Sequence, residues 1–173
     1  MHLQYVNSDA PPPSLMTTIL HYEQNAGRLA DQYESRAFEE VHASLLDLLP
    51  APGSIILDIG AGSGRDAAWF AARGDDVVAV EPSDAMRTHA RALHPSPRIH
   101  WLSDSLPELA QVRRLGLTFD FILLSAVWMH LPPAARARVA QAGDAARAER
   151  PYRHQPAAGR ARCGARDACG LPV

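Results

Sequence analysis

Residues 57–71 read LDIGAGSGRDAAWFA, and the way this stretch is read decides the fold. An apolar run ends at an acid, Asp58, and glycines follow at positions 60, 62 and 64 before a helical pattern begins. A glycine turn between strand and helix lets the backbone meet a ligand closely, because no Cβ stands in the way. The dinucleotide fingerprint G-x-G-x-x-G needs a further glycine at position 65, where this chain has Arg65. A helix N-terminus offers free N–H groups and partial positive charge to any anion, so a carboxylate is served as well as a phosphate. Asp58 suits an ammonium group and disfavours a pyrophosphate. Turn and acid together point to an amino acid moiety, the alternative being a tight turn with no ligand at all.

Outward from this turn, strand and helix alternate. SIILDI (54–59), DVVAVE (76–81), RIHWL (98–102) and FDFILLSAV (119–127) read as strands. Between them the pattern predicts helices over 66–73, closed by Gly74, then from a Ser83 cap to 93, then over 107–114, with another over 132–141. Continuous apolar strands separated by helices predict an α/β fold, a doubly wound parallel sheet covered by helices on both faces. Ahead of it, 15–49 predicts two helices. In the second, Phe38, Val41, Leu45, Leu48 and Leu49 share a face, and Pro50 and Pro52 stop it.

The second strand ends in Glu81, where an acid can accept hydrogen bonds from both hydroxyls of a ribose; a solvated loop acid is the plainer reading. After the third strand, LSDSL (102–106) puts Asp104 at the same edge of the sheet. Asp104 can accept from an exocyclic amine such as adenine's, or simply cap a helix. Met86 and Leu106 offer apolar walls for a ring. Amino acid, ribose and adenine in that order describe S-adenosylmethionine.

At this point the chain resembles a family. ILDIGAGSGRDAAWFA (56–71), VVAVEPSDAM (77–86), LSDSLP (102–107) and FDFILLSAVWMHL (119–131) are similar to successive motifs of the class I S-adenosylmethionine-dependent methyltransferases that act on small molecules. The resemblance runs over about 22–139. It implies a Rossmann-like sheet, with Asp58, Gly60, Ala61 and Gly62 at the methionine end of the cofactor, Glu81 at its ribose, and Asp104 and Ser105 at its adenine. Gly64, Pro82, Ser83, Met86, Leu106 and Ser125 complete the candidate cofactor set. Tyr22, Arg28 and Tyr33 look like the family's N-terminal lid, against the simpler reading of helix packing.

Methyl transfer asks the protein to align nucleophile, carbon and sulfur and to exclude water. SAVWMHL (125–131) places Ser125, Trp128 and His130 toward the substrate. His130 is the candidate base or orienting group, or else a cap on the next helix. The fourth motif lacks the Asn-Pro-Pro-aromatic pattern of enzymes that methylate amide or adenine nitrogens.

The 173 residues suit one domain, and net charge −2 with pI about 6.4 gives no general attraction to nucleic acid or anionic lipid. No apolar run approaches the roughly 20 residues a spanning helix needs, and the start carries no signal pattern, so a cytoplasmic protein is expected. Cys163 and Cys169 have no partners at metal-ligand spacing, and no metal is expected. The expected division is a disordered lead (1–14), a helical lid (15–49), the cofactor-binding α/β domain (50–141) and a low-complexity tail (142–173). The tail is rich in Ala, Arg, Gly and Pro where the family continues with three more strands. All 17 basic chains of the Lys/Arg type are arginine, a mark of GC-rich coding, and a frame shift near residue 141 would explain the loss of the last strands. The expected partner is a small-molecule methyl acceptor, with neither nucleic acid nor membrane. The alternatives are a non-catalytic cofactor-binding remnant and, behind it, a nicotinamide-dependent oxidoreductase.

Overall fold

The computed structural model describes residues 15–131 together with 135 and 136. The expected lead (1–14), the tail (142–173) and most of the helix expected over 132–141 lie outside the described residues.

Four strands form one parallel sheet: β1 (Ile55–Ile59), β2 (Asp76–Val80), β3 (Ile99–Leu102) and β4 (Phe121–Leu123), in the order β3-β2-β1-β4. The order of winding reverses at β1, since β2 and β3 build to one side and β4 to the other. That reversal is where doubly wound sheets open a crevice at their carboxyl ends. Register is fixed by pairs such as Leu57 with Val78 and Asp58 with Leu123.

Alternate strand residues feed two apolar layers, as the pleat requires. Leu57, Ile59, Val78, Val80 and Leu102 pack with Val112 of α5 (Ala110–Arg114) on one face. On the other, Ile56, Val77, Ala79 and Ile99 pack with Ala67 and Phe70 of α3 (Arg65–Ala72) and with Phe38 of α2 (Phe38–Val41). A third cluster joins Ala26 and Leu29 of α1 (Leu15–Glu34) to Met86 of α4 (Asp84–Leu93). Ser83 caps α4, its hydroxyl accepting from the Met86 N–H at 3.1 Å. The parallel sheet and the Ser83 cap are thus as the sequence predicts.

Three expectations need correcting. The second helix over 38–49 is not continuous: α2 ends at Val41, His42 leaves helical geometry (φ −116°, ψ 26°), and a 3-10 helix takes Ala43–Leu48. The cause is His42 itself, whose ring turns inward to a buried carboxylate, so Leu48 ends 69% exposed. The fourth strand spans Phe121–Leu123 and not 119–127, because the chain leaves the sheet and Ala126 turns with φ +56°. Residues 106–108 form a turn, so the helix expected over 107–114 begins at Ala110. Within α1, Asn25 departs from helical dihedrals, its amide donating to the His21 carbonyl at 2.9 Å and kinking the helix.

Candidate functional site

A cleft open to solvent lies at the carboxyl ends of the strands, where ligand sites of such sheets form. Four loops line it: 59–63 after β1, 80–82 after β2, 104–106 after β3 and 125–127 after β4. Thr18, Ile19, Tyr22 and Tyr33 approach from α1, and Arg65 and Asp66 from the start of α3.

The turn after β1 is held by backbone. The Gly60 and Ala61 N–H groups both donate to the Val80 carbonyl, at 2.8 and 2.9 Å, fastening the turn to the end of β2. All three glycines have positive φ, and at Gly60 an added Cβ would lie 2.3 Å from Val127 Cγ2. No other residue fits there.

Glu81 ties the second loop to this turn. Its carboxylate accepts from the Gly62 N–H at 3.1 Å and from the Ser83 N–H at 2.9 Å, and Arg87 donates to its carbonyl oxygen. Burial pushes the Glu81 carboxyl above the ordinary range, against the pull of those two N–H donors. Asp58, within β1, is 1% exposed and absent from the cleft lining, and its Oδ2 has no hydrogen-bond partner among the described residues. Burial raises its carboxyl well above the usual value, the charges of Asp66 and Glu81 add to this, and Arg65 opposes it.

Asp104 lines the cleft but is also engaged as a cap: it accepts from Ser105 N–H at 2.9 Å and from Gln111 and Val112 N–H at 2.7 and 3.1 Å. Ser105, Leu106, Pro82 and Ser125 line the cleft too. The hydroxyls of Tyr22 and Tyr33 meet at 3.4 Å, and burial, then Tyr33, raise the Tyr22 phenol above its normal range. Glu23, next to Tyr22, accepts from Ser83 Oγ at 2.6 Å and from Ala85 N–H at 3.2 Å, joining α1 to the cap of α4. The Ser83 bond holds the Glu23 carboxyl below its usual range.

Other candidate residues stand elsewhere. Arg28 is exposed and absent from the cleft lining, because Tyr22, Ala26, Leu29 and Tyr33 form the inward stripe of α1 and Arg28 falls off it. Met86 is fully buried beneath Gly62, 3.8 Å from where a Cβ there would stand, so it supports the turn instead of walling the cleft. Gly64 faces Trp101 and His94, and Ser83 is occupied by its cap and Glu23. His130 ends the 3-10 helix Trp128–His130 beside the cleft; its side chain lies outside what is described.

Sequence reasoning missed Arg65, Asp66 and Ser63 in the lining, together with Thr18, Ile19, Val127 and Leu131. In the sequence Arg65 stands out only as the residue that breaks a dinucleotide fingerprint.

Residues 56–149 match the family described as Methyltransferase domain, and the chain belongs to that family. This agrees with the resemblance to S-adenosylmethionine-dependent methyltransferases that the sequence motifs carry. Over 76 residues it is 41% identical to the biotin biosynthesis bifunctional protein BioHC of Cellvibrio japonicus, a stretch that is 42% of this chain and 15% of that protein. Among solved structures it is similar to 1,6-didemethyltoxoflavin-N1-methyltransferase of Burkholderia thailandensis, with bound 1,6-didemethyltoxoflavin and S-adenosylhomocysteine. There identity is 24%, coverage 80% of this chain and 64% of that one, and TM-score 0.58. A TehB-like S-adenosylmethionine-dependent methyltransferase of Corynebacterium glutamicum gives 22% identity, 69% and 63% coverage, and TM-score 0.53. These two likenesses are of fold, and this chain spans just under two thirds of each of those chains.

Proposed function

We propose that this protein transfers the methyl group of S-adenosylmethionine to a small-molecule acceptor in the cytoplasm. The observation that carries the reading is the Glu81 carboxylate hydrogen-bonded to Gly62 N–H at the cleft, which puts the glycine turn and the acid of the second strand at one site. The cofactor's three parts find matching chemistry. Asp58, with its unpartnered oxygen, takes the ammonium of the methionine end, and the backbone of Gly60, Ala61 and Gly62 lies against that end. Glu81 accepts from the ribose hydroxyls. Asp104 and Ser105 meet the adenine amine, and Pro82 and Leu106 flank its ring.

S-adenosylmethionine, when bound, supplies a methyl already activated on a sulfonium. The chain's own residues align the reactants and exclude water. Tyr22 and Tyr33 on α1 act as a lid, held down through Glu23 on the cap of α4. Ser125 lines the cleft, and His130 would orient the acceptor or take its proton. With net charge −2, nucleic acid is an unsuitable acceptor, and no helix among the described residues is long and apolar enough to cross a membrane.

The test is incubation with methyl-labelled S-adenosylmethionine and a cell extract, using the native chain and Glu81→Ala. Label in the low-mass fraction, reduced at least tenfold by Glu81→Ala at limiting cofactor, supports the reading. Label in protein or nucleic acid contradicts the acceptor class. Cofactor binding without transfer to any fraction would make the chain a binding remnant.

A further inference from the structure

We infer that Arg65 is the residue that binds the carboxylate of the cofactor's methionine end, and that buried His42, acting through Asp66, sets its position. This rests on the reading above and adds residues to it. Three acids line the cleft, Asp66, Glu81 and Asp104, and among the described lining residues Arg65 is the one cation. An amino acid moiety brings a carboxylate into those surroundings, where like charges repel it unless a cation stands by. Arg65 is also the first residue of α3, so its charge adds to the free N–H groups of the helix start.

The guanidinium is fixed on two sides. Its Nε donates to Asp66 Oδ1 at 2.7 Å and its Nη1 to the Tyr33 carbonyl at 3.1 Å, while Nη2 makes no hydrogen bond among the described residues. Asp66 is held in turn from the interior, where His42 Nε2 lies 2.8 Å from its Oδ2, both side chains being less than a tenth exposed. At the break in the second helix that ring lies inward, against Phe38 at a centroid distance of 4.6 Å. The chain His42, Asp66, Arg65, Tyr33 therefore runs from the linker, through the cofactor turn, to the lid. Planar, two-point fixation of an arginine leaves its remaining edge oriented for a carboxylate, which a lysine would not reproduce. Asp66 and His42 are positioning residues, since they act on the ligand only through Arg65.

The experiment compares ligands with and without the carboxylate by calorimetry. In the native protein, decarboxylated S-adenosylmethionine is expected to bind about tenfold or more weaker than S-adenosylmethionine itself, since one charge-assisted contact is lost. Arg65→Met is expected to weaken S-adenosylhomocysteine by about the same factor and to leave 5′-methylthioadenosine, which lacks the amino acid moiety, within about twofold. His42→Phe should show the same selective loss in smaller degree, with His42→Gln restoring it. Equal loss for both ligands would show a purely structural role and overturn the inference, as would no loss for either. If Arg65→Met does not fold, the native comparison decides: equal binding of the carboxylated and decarboxylated ligands overturns the inference. Failure of the native chain to bind S-adenosylhomocysteine or 5′-methylthioadenosine would instead overturn the cofactor site itself.

Discussion

Gly60 shows how closely the site is built around backbone. Its φ of +76° already disfavours a side chain, and the space a Cβ needs is held by Val127. Gly60→Ala is therefore expected to cost the αL penalty of about 1–2 kcal/mol and a steric cost besides. Val127→Ala in the same chain removes the clash, so urea denaturation should give a favourable coupling of about 0.5–3 kcal/mol between the two changes. Strict additivity would mean that Val127 does not press on the turn. Asp58 makes a second prediction at this scale. Its carboxyl is raised in the folded state, chiefly by burial, from an unfolded value of about 4. An acid raised on folding contributes stability fully present below the unfolded value and lost as pH rises through the folded one. Asp58→Asn lacks that loss. The melting temperature of the variant minus that of the native protein should therefore grow as pH climbs from about 4 toward neutrality. A difference that stays flat with pH would show that Asp58 titrates alike in both states.

At the scale of elements, the strands were legible and their ends were not. Ile55–Ile59 and Asp76–Val80 are buried on both faces, so their apolar runs mean strand and little else. The run 119–127 looks equally continuous, but the apolar character of its later part serves the cleft, through Val127 against Gly60, and only Phe121–Leu123 pairs. The helix over 38–49 misled for a long-range reason: its periodicity continues across His42, while that residue answers to Asp66, 24 positions on. The same limit hid Arg65 and Asp66, whose part depends on His42 and Tyr33 arriving from elsewhere. Glu81 was legible because both the turn and the second strand are local patterns. Phe38 carries the linker's anchoring. It is 2% exposed, stacked on Trp69 at 3.9 Å and 13°, and edge-on to Phe70 at 5.4 Å. Phe38→Ala should lower unfolding free energy by about 3–5 kcal/mol in urea denaturation. A loss below about 1 kcal/mol would show that residues 38–48 dock only loosely, for then no real cavity was made.

For the whole molecule, topology and charge converge on one place. Parallel strands in the order β3-β2-β1-β4 open their crevice beside β1, and the loops that fill it carry the glycines and the buried acids. Small acceptors suit such an edge crevice, and a chain of charge −2 has no general affinity for polyanions. All of this requires that the cleft be an S-adenosylmethionine site. That requirement is tested most directly by titration calorimetry of the 173-residue chain with S-adenosylhomocysteine and, separately, with NADH. Saturable one-to-one binding of S-adenosylhomocysteine and no heat of binding from NADH are expected. Binding of NADH with none of S-adenosylhomocysteine would contradict it.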